Sequence, residues 1–167
     1  MPLSLFEISI PVFIRNLKIL SHLLEKGRVH VSGNETSLIA AKLIDDMGQL
    51  SFQVQRISDT AKGVAVRVGR KEPIPMEDNE KTFPELQDRI TRTIAILEKL
   101  DPKGIDEMED KEVVLKTRYG EMNLTGTSYI LSYAIPNFYF HLCMAYAILR
   151  KEGVPVGKSD YLFGASS

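Results

Sequence analysis

Cysteine, histidine and charge of one sign are each scarce or dispersed in this chain, and every scarcity removes a class of protein. Cys143 is the one cysteine, so no intramolecular disulfide can form and a disulfide-stapled extracellular design is excluded. A reducing, cytoplasmic setting is the expectation that follows. Cys143 falls in the apolar run from Phe138 to Leu149 and reads as a small buried hydrophobe. His141, two positions away, lies off its helical face and supplies it no base. Lys and Arg number 21 against 22 Asp and Glu, a net charge of −1, and they are spread along the chain. Without a basic face, nucleic acid is not an expected partner. The 3 histidines, His22, His30 and His141, have no H-x-x-H or H-x-x-x-H spacing, so their pattern points to no metal and no cofactor. The first residues lack a basic region, and Glu7 and Arg15 interrupt the apolar stretch, so neither a secretory signal nor a membrane span is expected there.

What is present is ordinary globular composition, 44% hydrophobic and 26% charged in 167 residues, which predicts a single domain over 1–167. Four apolar stripes recur at helical spacing. Phe6, Ile10, Phe13, Leu17, Leu20 and Leu24 predict a first helix from about Ser4 to Glu25, with Pro11 bending it or ending a leading piece and Gly27 as its stop. Met47, Leu50, Val54, Ile57, Ala61, Val64 and Val68 predict a second helix from near Glu35 to Val68, with Gly48 as a point where it can break. Beside that stripe run Asp46, Gln49, Gln53, Arg56 and Thr60, a pattern that by itself reads as a solvated face. Thr82 and Glu85 form a capping box for a third helix, whose face is Phe83, Leu86, Ile90, Ile94 and Leu97. Alternation over residues 111–125 predicts a short β-hairpin, a connector or a rim over a pocket. The fourth helix runs from near Thr127 to about Glu152, with Pro136 kinking its middle. The expected architecture is an up-down four-helix bundle.

The fourth helix carries the candidate chemistry. It is apolar on nearly every face, yet Tyr133, Asn137 and His141 follow at i, i+4 and i+8 and share one side. Polar groups in such a place need partners or they destabilise by about 1–3 kcal/mol each. Two arrangements supply them. In one, His141 and Asn137 cap backbone groups around the Pro136 kink, since proline leaves the carbonyl of Ser132 unpaired. In the other, the stripe lines a core pocket, with His141 as acid/base, Tyr133 and Asn137 orienting substrate, and Asp46, Gln49, Gln53 and Phe138 binding it.

The run Pro136-Asn137-Phe138-Tyr139-Phe140-His141, the stretches Ala145–Arg150 and Gly153–Leu162, and Asp59-Thr60-Ala61-Lys62-Gly63 together resemble the DUF1993 family. Pro11-Val12-Phe13, Asp46-Met47 and Thr82–Leu86 match it too, so the resemblance covers essentially the whole chain. It implies an all-α DinB/YfiT-like four-helix bundle with the hairpin between the third and fourth helices, and a homodimer. Relatives in that wider group hold a divalent metal with one histidine on the second helix and an H-x-x-x-H pair on the fourth, and some are thiol-dependent transferases. Carried onto this chain, the pair falls on Asn137 and His141, and Gln49 or Gln53 occupies the region of the third ligand. The resemblance therefore implies a remodelled, metal-free pocket. The expected function is binding of, or acid/base chemistry on, a small, partly hydrophobic molecule around His141. The alternatives are a non-catalytic scaffold or interaction protein, and a degenerate metalloenzyme using His141, Asp46 and water.

Overall fold

The computed structural model describes residues 3–165. Its elements are α1 (Ile10–Val31), α2 (Glu35–Ile39), α3 (Leu50–Arg67), α4 (Phe83–Leu97), α5 (Pro102–Asp106), β1 (Glu112–Thr117), β2 (Gly120–Thr125), α6 (Gly126–Tyr129), a π-helical turn (Ile130–Ala134), α7 (Ile135–Lys151) and α8 (Lys158–Phe163). Four long elements make the bundle: α3 packs on α7 and α4, and α1 packs on α4, α7 and α8. Phe13, Leu17 and Leu20 of α1, Val54, Ile57 and Ala61 of α3, Leu86 and Ile90 of α4, and Phe138 and Leu142 of α7 are fully buried. Each such large side chain stabilises the fold by about 1.5–3 kcal/mol.

Pro11 does not bend a long helix. It sits in the first turn of α1, where its missing N–H costs nothing, and residues 5–9 form turns before it. Gly27 does not stop α1 either, because its bare Cα is where other elements press in. A Cβ there would lie 3.0 Å from Leu149 and 3.2 Å from Leu38. The second predicted helix is broken more deeply than a kink at Gly48: residues 40–49 are irregular between α2 and α3.

The capping box on α4 forms as expected, the Thr82 hydroxyl accepting from the Glu85 N–H and the Glu85 carboxylate accepting from the Thr82 N–H. The preceding loop is strapped down by Arg89 of α4, which is 1% exposed. Arg89 donates to the carbonyl of Glu77 and to Glu80, and pairs with Asp59 and Asp78. Burial opposes the charge on Glu80, but hydrogen bonds from Arg89 and Gln55 outweigh it and hold that carboxyl below its ordinary range.

The hairpin pairs Glu112 with Thr125 and Thr117 with Gly120 across the turn at Arg118-Tyr119. Val113 and Leu115 point into the core, and the N–H groups of Gly126 and Thr127 fasten the strand exit to the carbonyls of Lys111 and Glu109. Pro136 is accommodated by the π turn, in which the N–H of Ile135 reaches the carbonyl of Ile130, five residues back. The wide turn relieves the clash a proline ring imposes on the preceding helical turn.

Candidate functional site

The polar stripe of α3 is not a solvated face. Gln53 is 2% exposed, Thr60 is also buried, and both face α7. The two helices run antiparallel here, so Gln53 meets His141 and Thr60 meets Asn137. The Asn137 amide donates to the Thr60 hydroxyl at 2.7 Å, and that hydroxyl donates to the carbonyl of Arg56 at 2.7 Å. The first bond joins the two helices and the second lies within α3, and neither Asn137 nor His141 caps the backbone around Pro136.

The polarity of the His141 contact follows from its neighbour. The amide nitrogen of Gln53 donates to the carbonyl of Gly48 at 2.8 Å. Its oxygen, a pure acceptor, lies 2.8 Å from His141 Nδ1. Nδ1 therefore carries the proton and Nε2 presents a lone pair. Among the described residues, the buried side-chain nitrogens and oxygens without a partner are Arg56 Nε and Arg89 Nε, so the unpaired Nε2 of His141 keeps contact with solvent. Burial, and secondarily the charge of Arg56, lowers the His141 pKa to about 4. At neutral pH the ring is an uncharged hydrogen-bond acceptor fixed in one tautomer.

Two phenyl rings flank it. Phe140 meets the imidazole edge-on at 5.1 Å and Phe52 at 6.1 Å, and they are 53% and 39% exposed. The guanidinium of Arg56 lies over the Phe52 ring at 5.2 Å and pairs with Asp59 and Asp78.

The other sequence candidates are not drawn in. Tyr133 lies in the π turn, and the α-helical phase that aligns Asn137 with His141 starts only after it. Its ring stacks on Tyr129 at 5.9 Å, and Tyr129 accepts from Arg67. Phe138 is not a pocket wall: it is wholly buried against Phe13, ring centroids 4.8 Å apart, so His141 sits at the rim of the seam, in front of the core. Asp46 and Gln49 are exposed in the irregular stretch before α3, whose break ends the helical phase that would have aligned them with Gln53. Gln49 donates to Ser51 instead. Cys143 is exposed, not buried, with its sulfur 3.1 Å from the hydroxyl of Tyr161 on α8. Sequence patterning missed Phe52 and Phe140, which are indistinguishable from core residues in a hydropathy profile, and it hid Thr60 in a face read as solvated.

A divalent cation needs several deprotonated donors converging on one point. Around His141 the donors are Gln53, Asn137 and Thr60, neutral groups already committed to protein partners, with the cationic Arg56 beside them. Among the described residues no three His, Cys, Asp or Glu side chains converge. His22 is bound to Asp160 at 3.0 Å and His30 is exposed near the end of α1. These residues do not fit the metal that the bundle family implies. Among the described residues, moreover, no helix is long and apolar enough to cross a membrane.

No curated protein matches the chain significantly. The crystal structure of a DinB family member protein from Shewanella denitrificans is similar, with 32% sequence identity and a TM-score of 0.86 over 95% of this chain and 91% of that one. The family model described as a domain of unknown function, DUF1993, matches residues 5–162. The chain thus belongs to the DUF1993 family, and its fold is a DinB-like helical bundle with a two-stranded hairpin.

Proposed function

We propose that the α3–α7 seam is a metal-free site for a small, partly hydrophobic molecule, with His141 as its hydrogen-bond acceptor or base. One observation carries this. The chain Gly48 carbonyl, Gln53 amide, His141 Nδ1–H fixes the imidazole so that its lone pair is presented at the surface between two exposed phenyl rings. A base oriented by a third group is the arrangement that general-base chemistry and directional ligand binding both require. Asn137 and Thr60 hold the helices in register around it. The test is a ¹⁵N-resolved titration of the imidazole with a set of substituted phenols. Expected are an Nδ1–H tautomer, shifts on Nε2 when phenol is added, and their loss in Asn137→Ala or Gln53→Ala. An Nε2–H tautomer, or a ring indifferent to every phenol, ends the proposal.

The same hydrogen bonds suit a non-catalytic scaffold, because the Asn137 amide nitrogen, the Gln53 amide and His141 Nδ1 are each paired within the protein. Replacing His141 and Gln53 together by leucine separates the two roles. A site held at some cost to the fold gives a variant as stable as the parent or more so, since both partners of the bond are gone. A register-setting network gives a broadened, less stable transition. The lone cysteine suits a reducing, cytoplasmic setting, and the resemblance to the wider bundle group implies a homodimer, a part that sedimentation at the monomer mass would remove.

A further inference from the structure

A groove of about 460 Å³ opens beside Phe52, between residues 42–55 and 78–81. Its acids are spent. Asp78 pairs with Arg56 and Arg89, and Glu80 is held by Arg89 and Gln55. Its lysines are not. Among the described residues neither Lys42 nor Lys81 has a carboxylate partner, and the Lys42 ammonium donates only to the carbonyl of Asp45. The charge lining the groove that has no ion pair within 4.0 Å is therefore positive, Lys81 acting on the Glu85 carboxylate only from beyond that distance. Met47 and Phe52 supply its apolar part.

Phe52 is also the partition between this groove and His141. Its ring lies directly on Gly48, where any Cβ would come within 2.2 Å of the ring's Cδ1, and its far side meets the imidazole edge-on. The ring is 39% exposed, and the contacts it would leave in turning outward are Gly48, the Arg56 guanidinium and the imidazole edge. Gly48 thus serves twice, as the seat of the partition and as the carbonyl that orients Gln53.

We infer, building on His141 as a neutral acceptor, that the groove takes an aromatic carboxylate bearing a hydroxyl, its anion on Lys42 and Lys81 and its hydroxyl offered to His141 when Phe52 swings aside. The flat ring supplies contact with Met47 and the phenyl groups, and the carboxylate supplies what the lysines lack.

The chain contains no tryptophan, so Phe52→Trp places a single indole reporter on the partition. The probes are 4-hydroxyphenylacetate, phenylacetate, 4-methylphenol and inorganic phosphate. Indole emission should change saturably with the hydroxy acid, and 4-methylphenol should bind about tenfold more weakly. Lys42→Gln with Lys81→Gln should cost a similar factor, and added salt should weaken binding. His141→Gln should erase the preference for the hydroxy acid over phenylacetate. Amide shifts of Gly48 and Ser51 in the unmodified protein give the same titration without the indole. No saturation below about 10 mM, indifference to the lysine substitutions, or equal binding of inorganic phosphate overturns the inference. Lysine-dependent binding with no advantage from the hydroxyl overturns the role given to His141 instead.

Discussion

His141 is neutral in the folded protein because burial and the charge of Arg56 hold its pKa at about 4, against 6.5 for the free side chain. The unfolded chain binds the proton more readily, so stability falls as the pH drops from about 6.5 through 4 and is unaffected by this group above that window. Discounted for the ring's partial contact with water, the loss amounts to about 1–2 kcal/mol. Urea melts at pH 7 and pH 4.5 should show it, and His141→Leu should abolish that part of the pH dependence. The His141→Leu protein itself should lose about 1–2 kcal/mol at pH 7, since the buried oxygen of Gln53 is left without a donor. Gln53→Leu in the same chain should restore most of the loss. At this scale the sequence was half legible. The four-residue spacing of Asn137 and His141 survives folding, and Gln53 is where the neighbouring stripe put it. Tyr133, Asp46 and Gln49 drop out because helical phase was extrapolated across a π turn in one case and an irregular break in the others.

At the scale of the elements, two ionic side chains fasten neighbouring segments to the bundle. The short helix α8 is pinned to α1 through Asp160, whose carboxylate accepts from His22 and Lys26 and also from the Gly157 N–H that begins the helix. These contacts, the His22 bond foremost, keep the carboxyl far below its usual range, so it contributes stability at neutral pH that is lost as the pH falls below about 4. Asp160→Asn should loosen α8 alone: faster amide exchange and proteolysis after residue 157, with the bundle's main transition little changed. Arg89→Met acts on the loop before α4. It takes from Glu80 its ionic partner and leaves only the Gln55 amide on that carboxylate, while Asp59 keeps Arg56 and Lys62, and should cost about 3–5 kcal/mol in a thermal or urea melt. The capping box of α4 and the hairpin were readable because their signals are local, a T-x-x-E and an alternation of two. The course of α1 past Gly27 was not, because the reason for that glycine is Leu149, more than a hundred residues away.

For the whole molecule, four apolar stripes at helical spacing were enough to predict a bundle, since each must bury its face against another. The grooves between the helices were not readable, because they depend on which exposed side chains the packing leaves side by side. Without converging anionic or imidazole donors among the described residues, the folded chain should gain nothing from divalent cations. Addition of ten equivalents of zinc, nickel or manganese should move Tm by less than about 1 °C, whereas a resident site would raise it by several degrees through mass action. The π turn ahead of α7 separates what lies before it from what lies after it. A π turn is a helix with one residue too many, and a residue is worth about 100° of rotation. Sequence change or loss within Ile130–Ala134 can therefore re-aim everything on its N-terminal side, from the hairpin to the Tyr129–Tyr133 pair, while leaving Asn137 and His141 against α3. The two ends of this helix are free to evolve as separate parts.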